Sequence, residues 1–130
     1  MFSHIMLGSN DIDRSQRFYD AVFGAMGGKP ARKDDKGRIA YVHNSGVFMV
    51  SPPIDGQPAT RGNGSTIGFT MDSPEQVHVW QEAGVAAGGT AIEDPPGVRQ
   101  GSFGPLYLAY LRDPDGNKLC ALHRMPAEMP

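Results

Sequence analysis

The chain has 130 residues, 39% of them hydrophobic and 20% charged, which fits one globular domain with a continuous core. A net charge of −2 excludes an electrostatic footprint for nucleic acid or an anionic membrane surface. The single cysteine forms no intrachain disulfide, and the apolar run around Ile5 is too short for a signal peptide or a membrane span, so the expected location is cytoplasmic.

Residues 3–9 alternate as a strand, with Ile5 and Leu7 on one face and His4, Met6 and Gly8 on the other. Asn10 or Asp11 caps a helix running to about Met26, where Ile12, Phe18, Val22 and Met26 recur at helical spacing and Gly27-Gly28 ends it. Residues 29–34 form an edge strand. The basic stretch from Lys29 to Arg38 is interrupted by Asp34-Asp35 and reads as a solvated edge and turn. Residues 38–43 and 46–51 pair around Asn44-Ser45-Gly46, and a turn-rich linker without hydrophobic period follows from Pro52 to Gly64.

The next strand, 65–71, sets Ile67, Phe69 and Met71 on one face. Ser73-Pro74-Glu75-Gln76 then combines a Ser cap, a Pro at the first helical position and a Gln three residues on. The helix it opens buries Val77, Trp80 and Ala83-Gly84 and stops at Gly88-Gly89. A short strand at 90–93 leads into a Pro/Gly loop at 94–105. Strands 106–112 and 117–123 close around the turn Asp113-Pro114-Asp115-Gly116, and Met125 to Pro130 form a tail.

The two halves repeat. His4-Ile5-Met6-Leu7-Gly8 lies over Thr66-Ile67-Gly68-Phe69-Thr70 and Phe18 over Trp80, at the same 62-residue offset (66 − 4 and 80 − 18). The expected fold is therefore α+β: one domain of two β-α-β-β-β modules, 1–51 and 65–124, joined by the linker 52–64 and followed by the tail 125–130. Their curved mixed sheets form a shared cavity. Leu119 and Ala121 take the helix-covered parity, leaving Lys118, Cys120 and Leu122 on the other face. His4, Thr66 and Cys120 are thus expected to converge in one concavity, and Phe48 is assigned the parity of Lys118, lining it from the first module.

Each candidate has two readings. His4 is a ligand or acid–base group, or a rim histidine satisfied by a hydrogen bond. Cys120 is a small buried hydrophobe, or a thiolate that reacts or binds soft metal. Thr66 fits a hydroxyl offered to a bound molecule. Arg99 and Arg61 are anion clamps or free surface arginines. Tyr107 and Tyr110 have opposite parities, so at most one faces the cavity. His43 and His123 lie at strand ends, and His78 sits on a solvent face with no role. Gly62-Asn63-Gly64 leads into a strand and does not fit a dinucleotide fingerprint, and no H-E-x-x-H, G-x-S-x-G or P-loop is present.

With Ser3-His4-Ile5-Met6-Leu7-Gly8, Ser15-Gln16-Arg17-Phe18-Tyr19 before Gly24, and Tyr110 to Cys120 with its Asp-Pro-Asp-Gly-Asn turn, the chain resembles the vicinal oxygen chelate superfamily of glyoxalases, bleomycin-resistance proteins and extradiol dioxygenases. It is most similar to short bacterial glyoxalase-like members. The resemblance implies a divalent metal (Zn, Ni, Fe or Mn) in the concavity and pairing as a homodimer. His4 falls on the family's first His position, Thr66 where a second His is often found, and Cys120 where a Glu is usual. Thr is a poor ligand beside imidazole, and Cys replaces a hard oxygen with a soft sulfur. The expected function is a glyoxalase-like small-molecule enzyme, of lyase, isomerase or dioxygenase type, with an atypical or absent metal site. His4 is its catalytic group, His4 and Cys120 its metal candidates, and Thr66, Phe48, Arg99 and Lys118 its substrate contacts. The alternative is a non-catalytic drug or metabolite binder of the bleomycin-resistance type. Neither involves nucleic acid or a membrane.

Overall fold

The computed structural model describes residues 1–126; positions 127–130, in the expected tail, lie outside the described residues. The first module contains β1 (Ile5–Gly8), α1 (Ile12–Ala25), β2 (Arg32–Lys33), β3 (Ile39–His43) and β4 (Gly46–Ser51). The second contains β5 (Ile67–Thr70), α2 (Pro74–Ala86), β6 (Thr90–Gly101), β7 (Gly104–Arg112) and β8 (Lys118–Arg124). Each module has one four-stranded mixed sheet, ordered β1-β4-β3-β2 and β5-β8-β7-β6. In both, the opening strand pairs in parallel with the closing strand, β1 with β4 and β5 with β8. The two sheets do not close into a barrel. No helix among the described residues is long and apolar enough to cross a membrane.

Local chemistry sets the helix starts. The Asp11 carboxylate accepts the Arg14 N–H at 3.1 Å, and Ser73 Oγ accepts the Gln76 N–H at 3.1 Å, with Pro74 at the first helical position. Gln76 Oε1 reaches back to accept the Asp72 N–H at 2.7 Å, one residue earlier than a simple capping box would use. The β3–β4 reversal puts Asn44 and Ser45 at φ 46° and 69°, the paired left-handed geometry of a tight hairpin turn.

One element differs from its sequence expectation. Residues 94–101 are not a loop but the continuation of β6, which pairs with β7 as far as Gly101↔Gly104 across a register shift between Ile92 and Gly97. The two prolines fall within that shift, where the ladder needs no N–H from them. The Arg99 guanidinium donates to the carbonyls of Asp94, Pro95 and Gly97 at 2.9–3.1 Å and clamps the bulge from inside.

The helices share one core with both sheets. Phe18, Tyr19, Val77, Trp80, Leu111 and Leu119 are fully buried in it. A Cβ at Gly84 would come within 2.4 Å of Leu111 Cδ1 and 3.3 Å of Phe18 Cε1, so the bare backbone there lets α2 approach both α1 and β7. Phe48 also belongs to this core, which corrects its expected placement. It pairs with Ile5, is 5% exposed, and lies 4.9 Å from Tyr19 and 5.6 Å from Phe23 between ring centroids. The register shows why. Met6 pairs with Met49 as Gly68 pairs with Cys120, so Met49 is the first module's counterpart of Cys120, and Phe48 has the parity of Leu119.

The modules are buckled together by the β7–β8 turn. Asp113 accepts Tyr19 Oη at 2.5 Å, Asn117 Nδ2 at 2.8 Å and the Asp115 and Asn117 N–H groups at 2.9 Å. Asp115 accepts Asn10 N–H at 3.0 Å, Arg14 Nη2 at 2.9 Å and Ser15 Oγ at 3.2 Å. Its side chain is only 2% exposed, so removing it orphans donors that water reaches poorly. Asp115→Ala should lower unfolding stability by about 3 kcal/mol in urea denaturation. Asp13→Ala, which breaks the exposed pair with Lys33, should leave the midpoint unchanged.

Candidate functional site

The structure brings Thr66, Lys118 and the clamp candidate Arg61 together, but not with His4, Phe48, Arg99 or Cys120. All three line a cavity of about 200 Å³ whose remaining charged wall is Arg112. A second cavity, of about 190 Å³, adjoins it through Gly62, Ser65 and Lys118 and extends along Met6, Gly8, Ile67 and Asn117. The two share these walls as one groove, cationic at one end and mixed polar and apolar at the other.

Backbone geometry builds the cationic end. The linker turns at Gly62, whose carbonyl accepts the Ser65 N–H at 3.0 Å, and delivers the Ser65 and Thr66 side chains to the mouth. Arg112 and Lys118 are cross-strand partners flanking the Asp-Pro-Asp-Gly turn, so their side chains leave the same face. Arg112 Nη1 donates to the Gly116 carbonyl at 2.7 Å, and the Arg61 side chain packs over Gly116. Lys118 is paired with Glu93 and lies 4.8 Å from the centre of the Tyr110 ring. Glu93 is a non-glycine residue at φ 60°, where the β6 bulge begins, and this left-handed backbone aims its carboxylate at Lys118. Three cations against one carboxylate leave excess positive charge facing the cavity, with hydroxyls beside it. That arrangement suits a carboxylate, phosphate or phosphonate.

His4 and Cys120 lie elsewhere. His4 is exposed ahead of β1 and shares a 2.8 Å hydrogen bond with Ser3 Oγ. Cys120 is 6% exposed, and burial pushes its thiol above the ordinary range; a hydrogen bond with Tyr110 offsets this only in part. Tyr110 is likewise raised, first by burial and then by its neighbour Cys120. Neither His4 nor Cys120 lines the groove that holds Thr66 and Lys118. Arg99 spends its guanidinium on the bulge carbonyls, and Phe48 faces α1.

A divalent metal does not fit this donor set. Among the described residues no group of three His, Cys, Asp or Glu side chains is placed to hold one. The Cys120 thiol is held in its protonated form, and Thr66 sits among cations that repel another.

Two further histidines have structural partners. His78 shares a 2.6 Å hydrogen bond with Tyr107 Oη, and His123 Nδ1 lies 3.0 Å from the Met71 carbonyl. Sequence reasoning missed Arg112. The signal was available, because the turn length sets the hairpin register that places position 112 opposite Lys118.

The repeated βαβββ sheets, the parallel pairing within each and the groove between them define a glyoxalase-type fold. The chain belongs to the Glyoxalase/Bleomycin resistance protein/Dioxygenase superfamily, whose family model matches residues 1–121. It is 56% identical to a glyoxalase/bleomycin resistance protein from Albidiferax ferrireducens T118, with a TM-score of 0.92 over 95% of this chain and 99% of that one. A glyoxalase-related enzyme from Fulvimarina pelagi shares the fold at 23% identity and a TM-score of 0.71, over 95% of this chain and 88% of that one. In sequence this chain is 25% identical, over 99% of its length, to the Brassica oleracea var. gemmifera protein named "Putative lactoylglutathione lyase", and it spans 46% of that protein.

The Cys120 environment predicts its reactivity. In the folded protein, iodoacetamide labelling followed by mass spectrometry should be slow at neutral pH. It should still be accelerating with pH where an ordinary thiol, with a pKa of about 8.5, has levelled off. Unfolding in urea should restore ordinary rates.

Proposed function

We propose that this protein binds a small organic anion, with Thr66, Arg61, Arg112 and Lys118 holding the charged group and Met6, Gly8 and Ile67 contacting the remainder. One observation carries this reading: three cationic side chains and two hydroxyls line one cavity, and it shares walls with a second that adds the apolar Met6, Leu7 and Ile67. A glyoxalase-like lyase or isomerase reaction on such a ligand is the enzymatic form of the proposal. It is favoured by the relative named for lactoylglutathione, because a glutathione conjugate carries carboxylates that the guanidinium groups of Arg61 and Arg112 suit. In that form the proton transfers need a base that the groove lining does not supply, and our candidate is His4, which is exposed ahead of β1 outside that lining. The non-catalytic form is favoured by the groove itself, whose lining contains no imidazole, carboxylate or thiol.

Calorimetric titration with S-lactoylglutathione, its diester, which lacks both carboxylates, and inorganic phosphate tests the binding claim. The diacid should bind at least about tenfold more tightly than the diester, and Arg61→Ala or Thr66→Val should remove most of that difference. Equal affinity for acid and ester would sink it. Chromatography of the protein with glutathione and a 2-oxoaldehyde, whose thiohemiacetal isomerises to the thioester, separates turnover from binding: thioester formation that His4→Ala abolishes supports the enzyme, and no acceleration over the protein-free mixture supports the binder.

A homodimer is also part of this reading. Met6 and Val42, 42% and 60% exposed, leave apolar sheet surface that a second copy would cover. Sedimentation equilibrium should show a dimer; a monomer throughout the accessible concentrations removes this element.

A further inference from the structure

We infer that the seam between the two modules contains a second small-molecule site, selective for a neutral aromatic compound bearing one hydrogen-bonding group. The site is a cavity of about 240 Å³ on the far side of Ile67 from the anion groove. Ile67 is the one lining residue common to the two cavities. Its walls come from both modules, with Phe23, Tyr41 and Phe48 from the first and Phe69 from the second.

The walls are arranged for an aromatic guest. Phe23 stacks on Tyr41 at 4.4 Å and 6° between planes, while Phe69 meets Phe23 edge-on at 5.6 Å and Phe48 at 5.5 Å. Phe23, Tyr41 and Phe48 pack on one another and are only 2–5% exposed, so they give the cavity a narrow aromatic floor, and the half-buried Phe69 supplies the accessible ring against which a further ring can pack. Size narrows the guest. A cavity of about 150 Å³ is enough to hold benzene, so this one accommodates a substituted single ring or two fused rings, and not a drug-sized ligand.

Charge narrows it further. No Asp, Glu, Lys or Arg side chain lines the cavity. The Tyr41 hydroxyl is already committed to Asp20 at 2.7 Å, and burial, followed by that carboxylate, pushes its pKa well up and keeps it neutral. A charged guest would lose its hydration with no opposite charge in return.

Three further polar residues border the cavity, His43, Asn44 and Thr70; Asn44 and Thr70 are exposed to water, and the half-buried one is the His43 imidazole. It lies edge-on to Phe23 at 6.3 Å and makes no hydrogen bond among the described residues. Gly28 leaves room for it, since a Cβ there would sit 3.3 Å from His43 Nδ1. The left-handed turn at Asn44 and Ser45 follows directly and sets where β3 ends. One unspent imidazole beside four aromatic rings selects a phenol- or indole-like guest, whose O–H or N–H the imidazole accepts.

Methyl NMR of the full chain, titrated separately with phenol, toluene and benzoate, tests the site. Phenol should shift the methyl resonances of Ile5, Met26 and Val47 in a saturable way, toluene should shift the same set, and benzoate should not. His43→Ala should weaken phenol about five- to tenfold and leave toluene unchanged. The inference is overturned if phenol leaves these methyls unmoved or shifts Met6 and Leu7 of the anion groove instead. It is equally overturned if benzoate binds as well as phenol, or if His43→Ala weakens both neutral compounds alike. All the titrations except the last use the unaltered protein, so a misfolded variant cannot decide the outcome.

Discussion

The protein depends on one turn. Asp113 and Asp115, two residues apart between β7 and β8, accept hydrogen bonds from Tyr19, Ser15, Arg14 and Asn10 at the start of the opposite module. Each half alone is a four-stranded sheet with one helix, too small to bury a stable core. The turn fixes how the halves face, and the apolar contacts then accumulate along a single interior: Phe18 and Tyr19 from α1, Trp80 from α2, Leu111 and Leu119 from the second sheet. Burial of Asp113 and Asp115 strengthens these bonds and makes their loss costly. Tyr19, whose pKa is raised well above the ordinary value by burial and then by Asp113, remains a donor throughout the physiological range.

The same arrangement locates both cavities. With the modules buckled at the β7–β8 turn, β1 and β5 border a seam without pairing. At one end of it the linker folds back over Lys118 and Arg112 and creates a cationic pocket. At the other, Phe23, Phe48 and Phe69 approach from opposite modules and leave an aromatic one. The aromatic cavity takes its walls from both modules and the cationic one from the linker and the second module, so neither can be read from the first module's pattern in isolation. Their chemistries differ because their walls do: one is built from a polar linker and a charged hairpin, the other from the interior faces of strands that were apolar to satisfy the core.

Local pattern made much of the fold legible. The 62-residue repeat, the Asp11 and Ser73 caps and the Asp-Pro-Asp-Gly turn each act within a few residues, and the structure contains all of them. The expected loop at 94–105 went astray because Pro95, Pro96 and Gly97 signal a break, whereas the bulge absorbs them and β6 continues beyond it. Arg99 looked like a free cation in that loop. It is consumed by three carbonyls that the bulge exposes, and no sequence pattern announces a bulge's acceptors.

The site was legible only in part. Strand parity correctly separated Lys118 from Leu119, but the parallel register of the opening and closing strands decided that Phe48 matches the latter. His4 and Thr66 occupy equivalent positions of the repeat, and Cys120 lies on the closing strand. In space they are an exposed imidazole, a hydroxyl among cations and a buried protonated thiol. What the sequence determined by itself was the set of elements, their repetition and the family, because propensity, capping and hydrophobic period act over short range. What the tertiary structure decided was which charges share a cavity and which are spent internally. Burial and proximity between distant segments exist only once the two halves have docked.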